Sequence, residues 1–177
     1  MADVIVNTSP LQYLHQVGQL DLFPKLFGRI FVPEAVVAEL AAGRRLGVSL
    51  PTPEALEWID LRSPASPVGG LLSWDLRSGE SAVLSLALEH PGSWVVLDDK
   101  LARQAALHLN LPLLGTAGML LRAKRAGYRP PAGLPGLFRL VLNSGAVHPK
   151  LEGLSPAEQP DFTLALRNWV LARPVGT

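Results

Sequence analysis

Short β-type runs alternate with helix-type runs along most of this chain, and that alternation leaves little beyond an α/β layered fold. Val4-Ile5-Val6 reads as a buried strand. Thr8-Ser9-Pro10 then supplies an N-cap and a proline at the first helical position. A short helix around Leu20–Phe27 ends at Gly28, and Ile30-Phe31-Val32 is the next strand. Pro33 opens a helix through Leu40 that closes at Gly43. Ile59-Asp60-Leu61 reads as an edge strand, and the Ser-, Pro- and Gly-rich stretch Ser63–Gly70 as a mobile loop. Further on come a helix over Ser78–Glu89, a buried strand at Trp94–Leu97, a helix at Lys100–Leu109 and a short strand at Leu113-Leu114. A helix over Thr116–Ala126 is stopped by Gly127, and Leu134–Asn143 is read as helical. These elements make one domain over residues 1–144. Residues 145–177 read as an extension with one helix, whose Phe162, Leu166, Trp169 and Val170 share a face that packs on the domain or on a partner.

Composition removes several classes of function. Of 177 residues, 48% are hydrophobic and 18% charged, too apolar for a disordered chain and enough for a full core. Lys+Arg 16 against Asp+Glu 15 leaves a net charge of +1, so any nucleic acid must be held by a local patch rather than a global field. The absence of cysteine excludes disulfides, thiolate zinc sites and cysteine nucleophiles. His15, His90, His108 and His148 never pair at metal-ligand spacing. No G-x-G-x-x-G, phosphate-binding loop or G-x-S-x-G elbow is present. The start lacks the basic segment of a signal peptide, and no apolar run approaches the roughly 20 residues of a membrane span. The expectation is a soluble, cytoplasmic protein.

What remains is carboxylates. Glu80 has apolar residues at i+3, i+4, i+7 and i+8 (Val83, Leu84, Ala87, Leu88), which puts it on the inward stripe of its helix. A carboxylate aimed inward must be neutralised, paired or bound to a cation. Asp98-Asp99 follows a strand at its carboxyl end, where open α/β sheets place ligands. One helix cap needs one aspartate, and two adjacent carboxylates repel unless a cation sits between them. Glu39 lies at the border of the apolar face of its helix, and Asn7 ends the first strand at the position equivalent to Asp98. Converging oxygen donors without histidine or cysteine suit a hard divalent cation and phosphate-ester hydrolysis.

Five segments then occur in a familiar order: Val4-Ile5-Val6-Asn7-Thr8-Ser9-Pro10-Leu11, Val32-Pro33-Glu34-Ala35-Val36-Val37-Ala38-Glu39-Leu40, Gly79-Glu80-Ser81-Ala82, Leu97-Asp98-Asp99-Lys100-Leu101-Ala102-Arg103 and Leu114-Gly115-Thr116-Ala117-Gly118. In order and spacing they resemble the PIN-domain nucleases, closely the prokaryotic VapC-toxin-like branch with an N/D-T-S-P-L start, over roughly residues 3–142. The resemblance implies a three-layer α/β/α domain with a central, mainly parallel sheet flanked by helices. It also implies an acidic pocket for Mg²⁺ or Mn²⁺ and cleavage of RNA phosphodiesters, commonly as the toxin of a toxin–antitoxin pair with a small antitoxin protein, in a homodimer. Carried over by motif, Asn7 stands at the first acidic position, Glu39 at the second, Glu80 at the third, and Asp99 with Asp98 at the fourth. Thr8 and Thr116 fall where the family places hydroxyls near the pocket. Asn7 in place of aspartate removes one charge from the metal cluster, and the tail after Gly145 departs from the family pattern.

The expected enzyme is a metal-dependent endoribonuclease in which Glu39, Glu80, Asp98 and Asp99 hold one or two cations that activate water. Cations for the RNA backbone are sought in Arg44 and Arg45, just past Glu39, and in Arg122, Lys124, Arg125 and Arg129 at the end of the Thr116 helix, which equally read as ordinary solvated helix ends. The competing reading, supported by Asn7, is a catalytically weak PIN-like module that binds RNA or a protein partner.

Overall fold

A computed structural model describes residues 3–66 and 74–128. Its centre is a five-stranded sheet made of β1 (Val4–Val6), β2 (Ile30–Pro33), β3 (Ile59–Arg62), β4 (Trp94–Val96) and β5 (Leu113–Leu114), in the order β3-β2-β1-β4-β5. Every pairing is parallel, including Ile5 with Val95 and Val6 with Val96. Parallel neighbours need crossover connections, and the helices that supply them cover the sheet to give the expected α/β/α layers. Those helices are α1 (Thr8–Gln16), α2 (Leu22–Phe27), α3 (Glu34–Arg45), α4 (Ser78–Glu89), α5 (Lys100–His108) and α6 (Thr116–Arg125). The neighbouring inner strands β1 and β4 therefore read as unbroken apolar runs: Ile5, Val6, Val95 and Val96 have no solvent exposure. Leu11, Leu14, Val36, Leu40, Leu84 and Met119 close over them from the helices. None of the described helices is long and apolar enough to cross a membrane.

Two sequence expectations need correction. The helix beginning after Pro33 does not close at Gly43 but runs to Arg45. Gly43 is there for packing: a Cβ on it would lie 2.4 Å from Leu50 Cδ1, and the left-handed residue that follows the helix is Gly47, at φ +82°. At the other end of the fold, α1 begins at Thr8 with Asn7 as its N-cap, so Pro10 stands at the third helical position rather than the first. The other elements start and stop within a residue or two of their expected limits. The helix read at Leu134–Asn143, the apolar stripe Phe162–Val170, Arg129 and part of the Ser63–Gly70 loop lie outside the described residues.

Candidate active site

The strand order places a ligand site before any side chain is considered. From β1 the sheet grows through β2 to β3 on one side, and through β4 to β5 on the other. The crevice beyond the carboxyl ends of β1 and β4 is thus the topological switch point of the sheet, where doubly wound folds bind ligands. Asn7 ends β1, and its N–H extends the β1–β4 ladder to Val96 O at 3.1 Å. Asp98 and Asp99 follow β4 on the other lip.

Asn7 carries the most informative single atom. The residue is 2% exposed, and its Oδ1 has no hydrogen-bond partner. An N-cap asparagine normally accepts from the N–H at the second or third helical position. Here the third is Pro10, which has no N–H, and no cap bond forms. A buried amide oxygen left bare costs about 1–3 kcal/mol, so this atom is a strong indication of a ligand.

The candidate carboxylates are held in unlike ways. Glu80, 7% exposed in the first turn of α4, accepts the Arg77 N–H through Oε2 at 2.9 Å. Burial is the main cause that raises its pKa above the ordinary glutamate range, and the nearby charges of Asp99 and Glu39 push the same way. Glu80 thus lies within electrostatic reach of both Glu39 and Asp99. Half-buried Glu39 projects from the middle of α3 and accepts from Gly79 N–H at 2.8 Å, from Ser78 Oγ at 3.2 Å, and from Thr8 Oγ1. Asp99 caps α5: Leu101 N–H at 2.8 Å and Ala102 N–H at 3.0 Å both donate to Oδ1, and neither bond uses Oδ2.

Asp98 plays a different part from its neighbour. It is 4% exposed, Oδ1 accepts the Thr116 N–H at 2.9 Å, and Oδ2 accepts the Thr116 hydroxyl. Desolvation raises its pKa, while the Thr116 bonds and the Arg103 charge pull it down. The arrangement ties the end of β4 to the start of α6, with the Arg103 guanidinium donating to Leu97 O at 3.0 Å across the same turn. Both hydroxyls picked out by sequence therefore meet carboxylates, Thr8 meeting Glu39 and Thr116 meeting Asp98.

Among the described residues, no three carboxylates or imidazoles gather at metal-ligand geometry. The donor chemistry fits a hard cation nonetheless: one bare neutral oxygen at Asn7, three carboxylates whose charges oppose one another, and no soft ligand. Of the cations expected to hold RNA, Arg122 and Arg44 have partners other than these carboxylates. The Arg122 guanidinium stacks 5.7 Å over Phe27 and 5.8 Å over Trp94, at the amino end of β4 and so at the far edge of the sheet from Asp99. Arg125, on the last turn of α6, is exposed; the side chain of Lys124 is outside the described set. Arg44 donates to Pro51 O, and Arg45 is exposed at the end of α3. Two exposed cations that composition did not single out stand closer: Arg77, at the head of α4, and Lys100, next to Asp99. Their signal was nearness in sequence, Arg77 three residues before Glu80 and Lys100 next to Asp99.

No curated protein and no solved structure matches this chain significantly. A family model described as a PIN domain matches residues 3–144, which include every strand and helix among the described residues and all the carboxylates above. Fold and family match agree: the chain belongs to the PIN-domain family, whose members are generally nucleases.

Proposed function

We propose that the protein is a divalent-metal-dependent endoribonuclease whose cation, Mg²⁺ or Mn²⁺, is held by Asn7, Glu80 and Asp99 with Glu39 behind them. The observation that carries this reading is the buried, unpartnered Asn7 Oδ1, on the residue that follows β1 at the switch point of the sheet. A bound cation supplies a water of lowered pKa and neutralises charge on the scissile phosphate. The protein's part is to fix the donors. Thr8, Ser78 and Gly79 hold the Glu39 carboxylate, the Arg77 amide orients Glu80, and the α5 amides orient Asp99 through one oxygen only. Asp98, with both oxygens given to Thr116, supports the wall of the pocket. Arg77 and Lys100 flank the carboxylates and are placed to receive the phosphates on either side of the cleaved bond.

The N-T-S-P-L start supports placing the enzyme in the VapC-like toxin branch, acting on RNA in the cytoplasm as a homodimer restrained by a small antitoxin. Mn²⁺ titration by calorimetry, paired with cleavage of single-stranded RNA, tests the metal and the substrate together. The expected result is one saturable Mn²⁺ event, lost in Asp99→Asn, and cleavage that a chelator abolishes. RNA binding with neither Mn²⁺ uptake at millimolar concentration nor cleavage would establish the alternative, a binding module, which the missing charge at Asn7 favours. Growth arrest on expression, relieved by the product of a small adjacent reading frame, tests the toxin assignment.

A further inference from the structure

Glu39 belongs to α3, yet its carboxylate is gripped by the first residues of two other helices: Thr8 of α1, and Ser78 and Gly79 of α4. The approach to α4 is closer than any side chain at position 79 would permit. A Cβ on Gly79 would lie 2.6 Å from Glu39 Oε2 and 2.8 Å from both Oε1 and Cδ. The backbone does not itself call for glycine there, since Gly79 is not among the residues with positive φ. Glycine is also the poorer helix former, so alanine would ordinarily be preferred in this turn. The neighbour that explains the glycine is the Glu39 carboxylate.

We propose that Gly79 is a positioning residue: its missing Cβ leaves the socket in which the head of α4 seats Glu39 next to the turn that carries Glu80. One turn of helix thereby presents its own carboxylate, Glu80, and sets the angle of another from α3. For its effect on activity this inference rests on the nuclease reading. Its structural half stands independently, because the socket exists whether or not metal binds.

A double-mutant cycle in chelator tests the socket: the parent, Gly79→Ala, Glu39→Ala and the pair. With Glu39 cut back, the added methyl meets no carboxylate and gains helix propensity, so Gly79→Ala should raise the melting temperature by about 2–4 °C. With Glu39 present, the same substitution expels the carboxylate from its three donors and should give no rise. Equal shifts in both backgrounds would overturn the proposal. Should Gly79→Ala fail to fold, recovery in the Glu39→Ala background supports the socket, and failure there as well overturns it. The second arm is Mn²⁺ calorimetry, in which Gly79→Ala should weaken affinity at least about tenfold, a loss of 1.4 kcal/mol. Adding Glu39→Asp, one methylene shorter, should recover part of that loss. Unchanged Mn²⁺ affinity in Gly79→Ala would remove Gly79 from the site. A parent that neither binds Mn²⁺ nor cleaves RNA would instead defeat the nuclease reading, and the melting cycle would still decide the role of Gly79.

Discussion

Asp98 and Asp99 are adjacent and chemically identical, and the structure predicts opposite consequences for changing them. Asp98→Ala removes the acceptor for the Thr116 N–H and for the Thr116 hydroxyl, and Thr116 is fully buried. Each stranded donor costs about 1–3 kcal/mol, so the substitution should cost about 2–6 kcal/mol, a large part of the roughly 5–15 kcal/mol that holds such a domain folded. Asp98→Asn keeps an oxygen for the Thr116 amide and brings an NH₂ that can donate to the hydroxyl oxygen. It also removes a charge that burial makes costly, so its net effect should lie within about 1 kcal/mol. Asp99 is half exposed and caps α5, so Asp99→Ala should cost only about 1 kcal/mol. Urea denaturation in chelator, followed by circular dichroism, gives the stabilities, and Mn²⁺ calorimetry on the same samples gives the ligand role. The reasoning is refuted if Asp98→Ala costs less than about 1 kcal/mol, or if Asp98→Asn keeps its stability and loses Mn²⁺ binding. The second result would make Asp98 a ligand.

Other outcomes follow from the same geometry. Asp99→Asn should abolish Mn²⁺-dependent cleavage with the fold intact, since the cap oxygen survives and the charge does not; cleavage that persists in clean preparations would remove Asp99 from the site. Asn7→Asp adds a fourth carboxylate where an amide oxygen now lies bare, so it should lower the melting temperature in chelator and raise the gain on adding Mn²⁺. If neither changes, Asn7 does not face the carboxylates. Glu80 has its folded pKa raised, so the stability it contributes is full below the ordinary glutamate range and is lost as pH rises through the raised value. In chelator, the melting temperature of Glu80→Gln relative to the parent should therefore climb with pH across that window; a pH-independent difference would contradict the cost of burying the Glu80 charge. Gly43→Ala should destabilise by about 1–3 kcal/mol through overpacking against Leu50, and an unchanged melting temperature would show that Leu50 yields.

Much of the fold was legible because its signals are local. Val4–Val6, Ile30–Val32 and Trp94–Leu97 are apolar without alternation, which only strands covered on both faces require, and helix-type segments stand between them. The inward aim of Glu80 was legible for the same reason, since residues three and four apart share a helix face. Reading Pro10 as the first helical residue missed a fact the sequence holds: a proline at the third position has no N–H with which to capture Asn7. Gly43 misled because a stop signal and a packing glycine look alike until Leu50, seven residues on, is known to lie against it.

The division of labour at the acidic pocket could not be read along the chain. Sequence determined that Glu80, Asp98 and Asp99 stand at a strand end or a helix start, because hydrophobic periodicity and capping chemistry act within a few residues. Which of them meet was decided by tertiary structure. The order β3-β2-β1-β4-β5 brings Asn7 beside the end of β4, 31 residues separate Thr8 from the Glu39 it bonds, and 40 separate Glu39 from Gly79. Asp98 turned to Thr116 and Asp99 to the α5 amides because consecutive residues leaving a strand point to opposite sides, and only the packed helices give those two directions different chemistry.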